Sequence, residues 1–284
     1  MALKMKTLSA ITASLILIAS TLSHAQTNSV SDYPMAAIPG GIVSVPLGIT
    51  SNERPTVKLG KQPVLTVQER SGEWIAVVGV PLEQNGKLTL TSQQKQWTVG
   101  VGTHDYPEQH ITVENKRHVN PETNDMTRIN KEYALMGPAY RGYNGIVAEG
   151  WQKMSWPVKG PLSSPFGFKR FFNEQPRKPH SGVDIAAAEG TPIVAPAAGK
   201  VVLTGSFFFN GNSVFIDHGQ GLISMMCHMS RIDVNDGQIL KRGDVIGAVG
   251  QTGRATGPHL HWSISMNNTR VNPLLLVADP HGNQ

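Results

Sequence analysis

The chain has 284 residues, 39% hydrophobic and 16% charged, with a formal net charge of +5 at pH 7. That apolar content supports packed cores and excludes a disordered chain, and the length suits one large domain or two medium ones. The modest positive excess, with no basic run or aromatic-basic interleaving, excludes a nucleic-acid binder, and the single cysteine, Cys227, excludes an intrachain disulfide.

Residues 1–25 carry the three parts of a secretory signal. Lys4 and Lys6 come first, an apolar run follows from Leu8 to Leu22, and Ser23 and Ala25 are small residues before a cut. The mature chain is expected to begin near Gln26 with a charge of +3. The apolar run is interrupted by Ser9, Thr12, Ser14, Ser20 and Thr21 and is short against a span of about 20 apolar residues. No stable membrane anchor is therefore expected after cleavage, and no cysteine follows the run to take a lipid. Export is the expectation, with the periplasm as the first location and secretion as the second.

Residues 33–113 hold short β-branched and aromatic runs split by turn residues. The runs are Ile42 to Val45, Val64 to Gln68, Trp74 to Val80, Leu88 to Thr91, Trp97 to Val101 and Ile111 to Val113, a spacing that predicts a small β-sandwich. Asn85-Gly86 predicts a tight hairpin between two of them. Residues 114–155 read as a helix and linker. Asn120-Pro121 looks like an N-cap followed by Pro at the first helical position, and Met126, Ile129, Tyr133 and Met136 recur at helical spacing before Gly137. Strands return over residues 156–277, with turns at Asn210-Gly211, Gly219 to Gly221 and Asp236-Gly237. The fold class is thus mainly β, with one connecting helix.

Ligand-type residues cluster only in this last part. His24, His104, His110, His118, His218 and His281 have no ligand-spaced partners and read as signal, surface or structural residues. His180 and Asp184 flank Ser181-Gly182-Val183, where the glycine favours a turn into a strand and lets both side chains address one centre. In His259-Leu260-His261 the two imidazoles share a strand face, with Cα atoms roughly 6.6 Å apart, so both can serve one metal. Gly257-Pro258 forces a turn just before them.

The order of motifs resembles the LytM or lysostaphin-type zinc metallopeptidases over about Pro157 to Pro273. The matching stretches are Ser163-Ser164-Pro165-Phe166-Gly167, His180-Ser181-Gly182-Val183-Asp184, Gly190-Thr191-Pro192-Ile193-Val194-Ala195 and Gly199-Lys200-Val201-Val202. Then come Gly211-Asn212-Ser213-Val214, His218-Gly219, Cys227-His228-Met229-Ser230, Gly243-Asp244-Val245-Ile246-Gly247 and Thr256-Gly257-Pro258-His259-Leu260-His261. The resemblance implies an antiparallel peptidase sheet, one Zn²⁺ per chain on His180, Asp184 and His261, and His228 and His259 as catalytic groups beside it. Three protein ligands leave the coordination position that a water needs. It further implies that the partner is the stem peptides of peptidoglycan, whose cross-links an endopeptidase of this kind hydrolyses.

One departure accompanies the resemblance. The family often has a Tyr two residues before the His228 position, where this chain has Met226, so a transition-state donor is expected to be missing or supplied elsewhere. Cys227 is expected to face away from His228 as a buried, structural thiol. The N-terminal β region, followed by Tyr106-Pro107-Glu108-Gln109 and the Asn120-Pro121 helix, looks like the domain attached to some exported members, with spacing, wall binding or masking of the groove as its role. The rival class is a non-enzymatic LytM-like module that activates another wall hydrolase. Such modules commonly lose a ligand or a catalytic histidine, and none is lost here.

Overall fold

A computed structural model describes residues 36–93 and 95–279. The expected signal peptide and cut, with His24 and His281, lie outside the described residues. Strands β1 (Ile42–Thr50), β2 (Leu65–Gln68) and β3 (Glu73–Gly79) form one sheet in the order β1-β3-β2. A second contains β4 (Gly86–Thr91) and β5 (Gln96–Val101) with two short strands, Lys58–Leu59 and Gln62–Pro63. Val43, Val45, Ala76 and Val78 meet Leu88, Leu90 and Val101 between the two sheets, because alternate side chains of each strand turn inward.

Asn85-Gly86 makes no hairpin between its flanking runs. Gly86 has φ of 76°, but β3 and β4 belong to different sheets and β4 pairs with β5. The expected turn is a crossing between layers, which local sequence does not distinguish from a hairpin. Strand β6 (Glu108–Ile111) also leaves the sandwich to which Ile111 to Val113 was expected to belong.

Helix α1 (Thr123–Arg141) starts later and ends later than its sequence signals. Its N-cap is Glu122, in a reciprocal capping box with Asp125, so Asn120-Pro121 precedes the helix. It runs through Gly137 and Pro138. Proline removes one intrahelical bond there, but Met136 and Tyr140 on either side are held against Phe207, Phe215, Ile223, Met225 and Cys227. The buried face is Asp125, Ile129, Glu132, Met136 and Tyr140, while Met126 and Tyr133 stay exposed. Two carboxylates enter that face because each has a partner. Asp125 is bonded by Arg117, and Glu132 accepts from Arg128 at 2.6 Å and from the Phe208 backbone N–H at 2.8 Å.

The C-terminal part is built on an eight-stranded antiparallel sheet. Its strands are β7 (Leu162–Ser164), β9 (Val183–Ala186), β10 (Gly199–Phe207), β11 (Gly211–Asp217), β12 (Ile223–Met229), β13 (Ile239–Leu240), β14 (His259–Met266) and β15 (Thr269–Val271). The order is β13-β10-β11-β12-β14-β9-β7, with β15 paired to β14. β8 (Lys169–Phe172) lies outside it and pairs in parallel with β6, Gln109 opposite Arg170. One face of the large sheet, including Val214, Met226, Leu260, Trp262 and Ile264, packs into the main core. The other face looks toward α1.

That main core also takes Ile42, Leu65, Ile75 and Val77 from the back of the N-terminal sheet. β3 is consequently buried on both faces, which is why its run Trp74 to Gly79 shows no alternation of exposure. Polar contacts fix the docking: Asn267 accepts from the Gly79 N–H at 2.8 Å and donates to the Gly79 carbonyl at 3.2 Å. The Thr66 N–H donates to Gln220 Oε1 at 3.0 Å. After α1 the chain is strapped to both parts, with Tyr143 Oη donating to the Val64 carbonyl at 3.3 Å and the Ala148 N–H to the His218 carbonyl at 2.7 Å. Among the described residues no helix is long and apolar enough to cross a membrane.

Candidate metal centre

Strand register gathers the site. β9 and β14 pair antiparallel with Asp184 opposite His261 and Ala186 opposite His259, and β12 places Cys227 opposite His261. Asp184, His261 and Cys227 therefore form one row on the face toward α1. His180 precedes β9 in a turn pinned by its N–H to the Phe168 carbonyl at 2.9 Å. The intervening Gly182 is required by close approach, since a Cβ there would stand 2.4 Å from the Trp262 carbonyl oxygen and 2.9 Å from His261 Nε2.

Three donor atoms converge. His180 Nε2 lies 3.0 Å from Asp184 Oδ1 and 3.1 Å from His261 Nδ1, and the last two are 2.7 Å apart. Tetrahedral zinc with bonds of about 2.0–2.1 Å separates its donors by roughly 3.3 Å, so this triangle stands a few tenths of an ångström inside that spacing. All three residues are buried. Two imidazoles and one carboxylate are a donor set suited to zinc, and three such ligands leave an open position. No other His, Cys, Asp or Glu joins this group among the described residues; His104, His110, His118 and His218 lie outside it.

The surroundings orient the donors. His180 Nδ1–H donates to the Pro165 carbonyl at 2.7 Å, which leaves the Nε2 lone pair facing the other two ligands. Arg170 Nη2 donates to Asp184 Oδ2 at 2.6 Å. The same guanidinium donates to Ser164 Oγ at 3.1 Å and to Gln109 Oε1 at 3.3 Å, and Ser164 Oγ donates to Gln109 Oε1 at 2.9 Å. Sequence reasoning missed Arg170 and Gln109. Only the parallel pairing of β6 with β8 brings them here, and neither has a spacing that would have marked it.

His228 and His259 stand beside the triangle. Each donates from Nδ1–H to a backbone carbonyl, of Thr252 and Gly257 respectively, both at 2.8 Å, so each keeps Nε2 as a free lone pair. Their ring centroids are 4.8 Å apart, and His259 Nε2 is 4.0 Å from Asp184 Oδ1. Burial, then the neighbouring His259 and His261, push the His228 ring down to about 3. Burial takes His261 to about 4 against the pull of Asp184. Burial works against the Asp184 carboxylate, but hydrogen bonds from His180 and His261 outweigh it and hold the group well below the usual carboxylate range.

Strict strand alternation fails at His228. Its φ is 62°, and the β11/β12 register slips so that Cys227 and His228 together oppose Ser213. This bulge re-aims His228, and both residues line one cleft. Cys227 is nonetheless a buried, structural thiol, as expected, because burial pushes it up to about 12. Met226 sits on the opposite face, fully buried in the main core and paired with Trp262. Position 226 is thus a packing position in this fold, and its side chain is not aimed at the donors.

The cleft has a volume of about 400 Å³ and is walled by Tyr133, Met136 and Tyr140 of α1, by Phe172 and Phe209, and by His180, His228 and His261.

This arrangement is that of a peptidase of the M23 class. The Peptidase family M23 model matches residues 178–273, and the Peptidase family M23 N-terminal domain model matches residues 35–103. The chain belongs to peptidase family M23. A solved Pseudomonas aeruginosa chain assigned to peptidase M23 is 41% identical with a TM-score of 0.73, over 88% of this chain and 98% of that one. The DD-carboxypeptidase/endopeptidase Mpg of Neisseria meningitidis is 40% identical over 40% of this chain and 26% of its own length. The peptidoglycan DD-endopeptidase ShyA of Vibrio cholerae is 35% identical over 49% of this chain and 32% of its own length. The chain thus spans about a quarter to a third of the length of these curated relatives.

Proposed function

We propose that this chain is a zinc-dependent endopeptidase that hydrolyses peptide cross-links of bacterial peptidoglycan. The observation that carries the reading is the triangle of His180 Nε2, Asp184 Oδ1 and His261 Nδ1 with edges of 2.7–3.1 Å, flanked by two imidazoles with free Nε2 atoms. The name of ShyA supplies the substrate class, and that of Mpg the endopeptidase activity. A zinc ion held there supplies Lewis acidity toward a carbonyl and lowers the pKa of a water to about 7.

The chain's own residues supply the rest. His228, which lines the cleft, and His259, its ring centroid 4.8 Å from that of His228, each hold a lone pair at Nε2, as needed for a base that takes a proton from water and returns it to the leaving amine. Whichever imidazole takes that proton carries an Nε2–H that can donate to the developing charge until it passes to the leaving amine. Arg170 holds Asp184 Oδ2, so that Oδ1 stays aimed at the other two donors. The signal-like sequence of residues 1–25 and the peptidoglycan in ShyA's name support an activity outside the cytoplasm.

The test uses purified mature protein, His180→Ala and Asp184→Ala on cross-linked muropeptides, with zinc content measured in each. The expected result is one zinc and cleavage in the wild type, with both lost in the variants. No zinc in the wild type, or equal cleavage by all three, sinks the reading.

A further inference from the structure

The cleft holds a cation that the proposed chemistry does not use. Arg254 is partly buried and is clamped between two rings, with its Cζ 4.5 Å from the Phe172 centroid and 4.4 Å from that of Phe209. Its backbone N–H donates to the Phe209 carbonyl at 2.8 Å, and its Nη1 donates to the His118 carbonyl at 3.2 Å. A guanidinium has five N–H donors, and no carboxylate partner accepts from this one among the described residues. Burial, then the positive Arg170, lower its pKa to about 10, with Tyr133 acting the other way and the positive Arg177 adding a smaller lowering. Arg270 and the exposed Lys178 line the same cleft.

The carboxylates close by are committed elsewhere. Asp184 is taken by Arg170, His180 and His261, Asp125 by Arg117 and Glu132 by Arg128 and the Phe208 N–H. A desolvated guanidinium held rigid between aromatic faces, in a positive field and with spare donors, is arranged to receive an anion from outside the chain. The flat fork matches a carboxylate. Because it opens on the same cleft as the metal-type donors, the carboxylate belongs to the molecule being cut.

We propose that Arg254, aided by Arg270 and Lys178, forms a carboxylate-binding subsite, so that the preferred peptide carries a free carboxylate on the segment lying along this wall. This rests on the peptidase reading and deepens it, because it sets which stem peptides the cleft accepts.

The experiment is calorimetric binding of an uncross-linked stem tetrapeptide, as free acid and as C-terminal amide, to the zinc-loaded mature protein and to R254Q, R254K and K178Q. The wild type is expected to prefer the acid by about tenfold or more, the scale of one charge-assisted bidentate contact. R254Q brings the ratio toward one, R254K gives an intermediate ratio, and K178Q lowers it by about twofold, since one exposed charge contributes less. Equal binding of acid and amide by the wild type overturns the subsite. A preference that persists in folded R254Q also overturns it, because the carboxylate then sits on the metal. If R254Q melts early through loss of its ring contacts, an unchanged ratio in both R254K and K178Q overturns the proposal. A protein that separates acid from amide yet cleaves no cross-link keeps the subsite and loses the peptidase, whereas one that cleaves and binds both peptides alike does the reverse.

Discussion

Arg170 Nη2 donates to Asp184 Oδ2 at 2.6 Å while Asp184 Oδ1 faces His180 and His261. One carboxylate thus divides its two oxygens between an organising cation and the donor triangle. Replacing Arg170 by Met removes that cation and leaves Asp184 free to rotate. Zinc affinity, measured by competition with a chelator, is expected to fall about 10- to 100-fold, the usual cost of losing such a supporting contact. An unchanged affinity would mean that the arginine is incidental.

His228 and His259 touch no donor closely enough to share its role, so their removal should separate chemistry from metal. His228→Ala and His259→Ala are each expected to retain one zinc and to lose about 10²- to 10⁴-fold in kcat, the range for one general acid or base. Loss of zinc from either variant would instead make that residue a ligand.

Buried His218 donates from Nδ1 to the Ala198 carbonyl at 2.7 Å and accepts from Ser224 Oγ at 2.8 Å. Burial lowers it to about 4 from an ordinary 6.5. Between those values the unfolded chain binds a proton that the folded chain refuses, so stability rises with pH. The contribution is fully present above about pH 6.5, is lost as pH falls toward 4, and amounts to the order of 3 kcal/mol. Denaturant titrations of metal-free protein from pH 7 to 4.5 should show a steeper loss in the wild type than in H218Q. Parallel slopes would remove His218 as the source.

Asn267 closes both backbone bonds of Gly79 across the junction of the N-terminal sheet with the peptidase sheet. Asn267→Ala leaves a buried N–H without its acceptor and is expected to cost about 1–3 kcal/mol. Because Ile75 and Val77 share a core with Ile264 and Met266, the variant should still unfold in one transition. Two resolved transitions in urea would show that the shared core does not couple the parts.

Much of the centre was legible in the chain because its donors are encoded at short range. A strand brings His259 and His261 to one face by its period of two, and Gly182 between His180 and Asp184 permits the turn that joins them. The mainly β class was readable for the same reason, from alternating runs. Tertiary structure alone decided which residues meet across long separations: Arg170 and Gln109 behind Asp184, α1 along the cleft, Asn85-Gly86 as a crossing between sheets, and β3 covered on both faces. It also overruled the local period where the bulge at His228 turns that side chain into the cleft beside Cys227, while Met226 stays in the core. Periodicity fixes which face a residue takes relative to its neighbours in sequence, but register, bulges and layer order are set by packing between distant segments, and only the folded chain displays them.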